Sequence, residues 1–199
     1  MTRCIAATPA TAILLAALAS PASAHTSTGL AGGFVSGFAH PLSGPDHLLA
    51  MVSVGLWGAF LGRPLVYLLP VVFPLVMVVG AILGMSGTPM PPVEIGIALS
   101  VVVLGACIAF EFRAPIWFAA TIVAIFAIFH GYAHGRELPS AADPAGYSLG
   151  FVLATGILHV AGIAFGLTKD RPWGGVAIRS LGAAIGVVGI GFFAKAVLS

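Results

Sequence analysis

Apolar residues run along this chain in long blocks separated by short clusters of proline, glycine and charge. The blocks fall at about 28–62, 65–86, 93–112, 114–134, 146–168 and 174–197. Most match the roughly 20 residues that a helix needs to cross a bilayer. In lipid every backbone polar group must be satisfied within its own segment, so each block is expected to be helical. The pattern therefore predicts an all-α, polytopic transmembrane helical bundle with about six crossings. Small residues four apart, Gly80 with Gly84 and Gly182 with Gly186, suit the close approach of such helices.

The first block departs from this scheme. As one helix, residues 28–62 would extend about 50 Å, against a hydrocarbon core of about 30 Å. The stretch HPLSGPDH at residues 40–47 is where it must break. Pro41 and Pro45 cannot donate backbone hydrogen bonds, and Ser43 or Gly44 followed by Pro45 has the form of a helix N-cap and first turn. A half-helix or re-entrant segment, a turn, and a full helix starting near Pro45 are expected.

Composition agrees with a membrane protein: 59% of the residues are hydrophobic and 7% charged, against roughly 25% charged in a soluble domain. The net charge of +2 gives no indication of nucleic-acid binding. Residues 1–24 have the form of a secretory signal peptide. Arg3 is its positive end, ATAILLAALA its short apolar core, and Ala22-Ser23-Ala24 its small-x-small cleavage site. Cleavage would make His25 the mature N-terminus and leave residues 25–199 as a single transmembrane domain. The alternative is an uncleaved first helix, for which the apolar run is short. Cys4 would leave with the signal, so the mature chain would keep only Cys107 and form neither an intrachain disulfide nor a thiolate cluster. With the mature N-terminus outside, Arg63, Arg113, Lys169, Arg171 and Arg179 fall on the inner side, as the positive-inside rule requires.

The polar residues inside the apolar blocks carry the candidate chemistry. An aspartate at the centre of a membrane helix costs about 2.5–3.5 kcal/mol on insertion scales, so Asp46 needs a partner or a wet cavity. Irregular backbone at membrane depth lines cavities, and broken helices are where transporters bind ions. His40, Asp46 and His47 form an N/O ligand set at such a break, with Asp46 in a first helical turn whose dipole favours its charged form. Taken alone, the motif fits equally well with hydrogen bonds that merely hold the break together.

A second cluster, FHGYAHGRELP, puts His130 and His134 four apart on one helix face, with Glu137 three further on. Imidazoles at this spacing suit a transition metal; the competing reading is a polar helix end with Glu137 paired to Arg136. His159, inside an apolar helix, is either a hydrogen-bonded core residue or a ligand. Glu94 opens a helix on the outer side, where a carboxylate is favourable whatever its role. His25, with a free α-amine beside its imidazole, is a candidate accessory ligand at the entrance.

The stretches HPLSGPDHLLAMVSVGLW, HGYAHGRELP and GFVLATGILHVAG together resemble the HupE/UreJ family of nickel and cobalt permeases associated with hydrogenase and urease maturation. The resemblance covers nearly the whole mature chain. It implies a secondary importer of Ni²⁺ or Co²⁺ in the bacterial cytoplasmic (inner) membrane, with the ion as cargo and no resident cofactor. The family's functional residues carry over onto His40, Asp46, His47, Phe73 between Pro70 and Pro74, Glu94, His134 and Glu137. Expected partners are the divalent metal ion and the lipid bilayer, with association between copies of the chain left open. Imidazole and carboxylate donors suit nickel and cobalt alike. No nucleotide-binding motif is present, so ATP hydrolysis within this chain is not expected. Two rival classes are an intramembrane metal-dependent hydrolase and a membrane metal-binding or sensing module.

Overall fold

The computed structural model describes residues 33–138 and 143–198; the expected signal peptide and His25 lie outside them. Among the described residues the regular structure is all helical: α1 Gly33–Ser43, α2 Pro45–Leu61, α3 Leu65–Met85, α4 Val93–Ala109, α5 Ile116–Glu137, α6 Pro144–Gly166 and α7 Gly174–Leu198, with a 3₁₀ turn at Leu167–Asp170. The helices α3, α5, α6 with its 3₁₀ extension, and α7 are long and apolar enough to cross a membrane. α2 and α4 are apolar helices of 17 residues each. The outward faces are apolar, as at Leu75 and Val78 of α3 and Val187 and Ile190 of α7.

Glycine sets how the helices pair. α3 packs along α5, α4 along α7, and both α1 and α2 along α6. In the α3–α5 pair a Cβ on Gly80 or Gly84 would meet the carbonyl oxygens of Ile128 and Tyr132. A Cβ on Gly131 or Gly135 would meet those of Met77 and Ala81. The rising order of both partners makes the pair parallel, with backbone against backbone. α4 and α7 approach at Gly105 and Gly182 with the opposite sense, since Gly182 faces Ala109 and Gly189 faces Val102.

The first apolar block is interrupted at Gly44. Gly44 is the N-cap of α2, with φ −91° and ψ 107°, and Pro45 occupies the first turn, where its missing N–H costs nothing. The carbonyl of His40 accepts from Ser43 Oγ at 2.9 Å and from the Gly44 amide at 3.3 Å, so the break satisfies this carbonyl internally. α1 and α2 then follow α6 one after the other. Gly37 lies against Tyr147 and Gly150 against Phe34, whereas Gly55 lies against His159 and Gly162 against Val52.

α4 ends at Ala109, three residues before the apolar block does. Glu111 takes φ 52°, Phe112 N donates to the Cys107 carbonyl at 2.8 Å and Glu111 N to that of Ile108 at 3.2 Å. This is the Schellman closure, here without the usual glycine. At the same end of the molecule Lys169 Nζ donates to the Ala59 carbonyl of α2 and Arg179 Nε to the Ala109 carbonyl of α4. Both cations thus meet the negative ends of helix dipoles.

Candidate metal centre

α5 contributes His130 and His134, one turn apart on its inward face, and the broken segment contributes His40 and His47. All four residues are buried, at 6% exposure or less. They meet edge to face in a bent file: His40 to His134, His134 to His47, and His47 to His130, each with ring centroids 4.8 Å apart, the file turning at His134 so that His40 and His47 are 6.2 Å apart. The break makes this interleaving possible. Seven residues of continuous helix would separate positions 40 and 47 by about 10 Å of rise, whereas the two rings lie 6.2 Å apart.

At one end of the file, Glu137 Oε2 lies 3.8 Å from His40 Nε2 and 3.9 Å from His134 Nδ1. Donor atoms of His40, His134 and Glu137 all fall within 4.8 Å of one another. Two ligands each about 2.1 Å from one ion lie at most about 4.2 Å apart. The two carboxylate distances already satisfy this, and a contraction of about half an ångström would bring the whole set onto one centre. Glu137 is half-buried, with its carboxylate turned onto the two histidines.

Asp46 lies against His47. Its Oδ1 accepts the His47 amide at 2.9 Å and lies 3.3 Å from His47 Nδ1. A carboxylate oxygen accepts, so the hydrogen of the second contact belongs to Nδ1 and the lone pair of His47 to Nε2, on the side of the ring away from Asp46. His130 is set in the same way: its Nδ1 lies 2.9 Å from the Phe126 carbonyl, which leaves Nε2 as the donor atom of that ring.

Phe73, fully buried, closes the other end of the file. Its ring lies 5.4 Å from that of His130 and 5.6 Å from that of His159. Glu94 is exposed in the first turn of α4 and does not belong to the group formed by His40, His134 and Glu137.

A family model described as HupE / UreJ protein matches residues 13–192. The chain belongs to the HupE/UreJ family. A curated relative, Protein HupE of Rhizobium leguminosarum bv. viciae, is 46% identical over 176 residues, which cover 88% of this chain and 92% of that protein. No solved structure matches the chain.

In this HupE/UreJ member three residues join the site that sequence reasoning had not singled out. The Tyr147 and Phe151 rings lie 5.9 and 6.2 Å from that of His40, and Phe151 lies 4.3 Å from His134. Thr155 continues the same face of α6, buried at 1% exposure. A cleft between α3, α5 and α6, lined by Met77, Tyr147, Phe151 and Thr155 among others, reaches His134 from the side. The signal was the four-residue spacing of Tyr147, Phe151, Thr155 and His159, which puts all four on one face.

Proposed function

We propose that this chain is a secondary transporter that carries Ni²⁺ or Co²⁺ inward across the cytoplasmic membrane, passing the ion along the file of imidazoles. The observation that carries the reading is the file itself: four buried histidines at equal 4.8 Å steps, with a carboxylate at one end, inside an apolar bundle. Buried polar groups in lipid are costly and mark ion pathways. A static site needs only three or four ligands around one centre, whereas a row of near-equivalent nitrogen donors lets an ion exchange one partner at a time.

The chemistry of the donors selects the cargo. Neutral imidazole and carboxylate suit borderline divalent ions. Glu137 supplies charge where the ion would arrive, and His40 and His134 take over its coordination. Asp46 acts through His47, presenting Nε2 to the next step. Glu94, at the exposed end of α4, attracts cations to the same side.

The membrane arrangement follows. α1 and α2 together form one broken crossing, and with α3 to α7 they make six. The end bearing Arg63, Arg113, Lys169 and Arg179 faces the cytoplasm, and Glu137 opens to the outside behind a cleaved signal peptide. The imported metal would supply hydrogenase or urease maturation or cobalamin synthesis. The set of His40, His134 and Glu137 is also what an intramembrane metal hydrolase would use. That chemistry gives no reason for His47 and His130 to extend the row. The test is ⁶³Ni²⁺ or ⁵⁷Co²⁺ accumulation in proteoliposomes containing the purified chain. Ion retained inside above protein-free vesicles is expected; binding without accumulation, or hydrolysis of added lipid or peptide, overturns the proposal.

A further inference from the structure

His159 stands beyond Phe73 and outside the file of four. It is 2% exposed, its Nε2 has no hydrogen-bond partner among the described residues, and its ring hydrogen-bonds to the backbone of Pro70. Pro70 has no N–H, so the bond runs to its carbonyl. With Nε2 unpartnered, the donor is Nδ1.

That carbonyl is open for a reason written in α3. In a regular helix the amide four residues on would occupy it, but four residues on is Pro74, inside the helix, which has no amide hydrogen to give. The proline thus frees an acceptor at membrane depth, where an unsatisfied carbonyl is costly. His159 satisfies it from the neighbouring helix. The consequence falls on the other nitrogen: a ring that donates through Nδ1 carries its lone pair on Nε2. An unpaired acceptor nitrogen in a dry interior is costly, and the Phe73 ring touches both His159 and His130, whose own Nε2 bears the lone pair in the same manner.

Resting on the transport reading above, we propose that His159 receives the ion from His130 across the Phe73 ring, and that Pro74, by leaving the Pro70 carbonyl open, is the positioning residue that holds His159 in its metal-accepting tautomer. On this account the route has two parts, an outer file built by α1, α2 and α5 and an inner ligand presented by α6. Phe73 marks the step between them.

The experiment compares the wild-type chain, His159→Ala, Pro74→Ala and the double variant, all full-length and purified. Equilibrium Ni²⁺ binding reads the outer file and certifies the fold of each variant; affinities within twofold of wild type are expected. Uptake into proteoliposomes is expected to fall at least tenfold for His159→Ala and severalfold for Pro74→Ala, and the double variant should be no slower than His159→Ala. The ¹⁵N-histidine NMR signal that disappears in His159→Ala should show Nδ1 protonated in the wild type, and the Nε2-protonated form should gain population in Pro74→Ala. Near-normal uptake by His159→Ala in a wild type that transports overturns the inner-ligand role, as does a Pro74→Ala effect that multiplies with that of His159→Ala. An Nε2-protonated wild-type signal overturns the role of Pro74. If the wild type moves no metal, the functional reading itself fails, and the ion-receiving role falls with it.

Discussion

The aspartate at position 46 illustrates how a single carboxylate acts through a neighbour. Its Oδ1 reaches the amide and Nδ1 of His47, so it fixes which nitrogen of that ring faces the file. Partners of this kind are worth about 10- to 100-fold in metal affinity. Asp46→Asn, which offers a weaker acceptor in the same volume, is expected to lower Ni²⁺ affinity by about tenfold in equilibrium titration, and Asp46→Ala by more. Equal affinities in all three proteins would make Asp46 a cap for α2 and nothing else. Glu137 stands in direct reach of His40 and His134 instead. Glu137→Gln should therefore depress uptake at saturating as well as at low metal, whereas Glu94→Gln should matter only at low metal; concentration series for the two variants separate these roles. These residues were legible in the sequence because charge and imidazole in an apolar block are costly and conspicuous. Their partnerships were not, since which ring lies beside His47 depends on how α1, α2 and α5 pack.

Helix pairing decides whether those rings meet. α5 holds His130 and His134 in place through Gly131 and Gly135, each of which lets an α3 carbonyl come within the space of a Cβ. Gly131→Val should force α3 and α5 apart at a cost of about 1–3 kcal/mol and lower both thermal stability in detergent and metal affinity. Gly156→Val is the control, because a Cβ at Gly156 meets nothing within 4 Å; it should change neither measurement. The spacing of Gly80 and Gly84 marked a close approach, but not that its partner would be α5. Small residues at four-residue spacing name a face, and the helix that fills it is a tertiary choice. The early end of α4 was hidden for another reason: Glu111 adopts the left-handed conformation that glycine usually announces. Likewise the shared face of Tyr147, Phe151 and Thr155 shows in their spacing, but that Tyr147 and Phe151 meet His40 and His134 depends on how α1 and α5 lie beside α6.

At the scale of the whole molecule, charge gives the bundle its polarity. Arg63, Arg113, Lys169 and Arg179 collect at one end, and two of them also close the ends of α2 and α4. A cysteine replacing Arg171 is expected to react with a membrane-impermeant maleimide only after the cell membrane is opened, and one replacing Thr88 in intact spheroplasts; the reverse pattern would invert the proposed direction of transport. The shortness of α2 and α4 has its own consequence. At 17 residues each, about 25 Å long, they fall short of a hydrocarbon core of about 30 Å, and their C-terminal ends are pinned by cations that stay at the headgroups. α1 extends α2 at its other end, so the deficit falls on α4 alone, and lipid is expected to thin around its N-terminal end beside Glu94. Bilayer thickness becomes a control on activity: uptake should be fastest in vesicles of fourteen-carbon lipids and slow progressively as the acyl chains lengthen to twenty-two carbons.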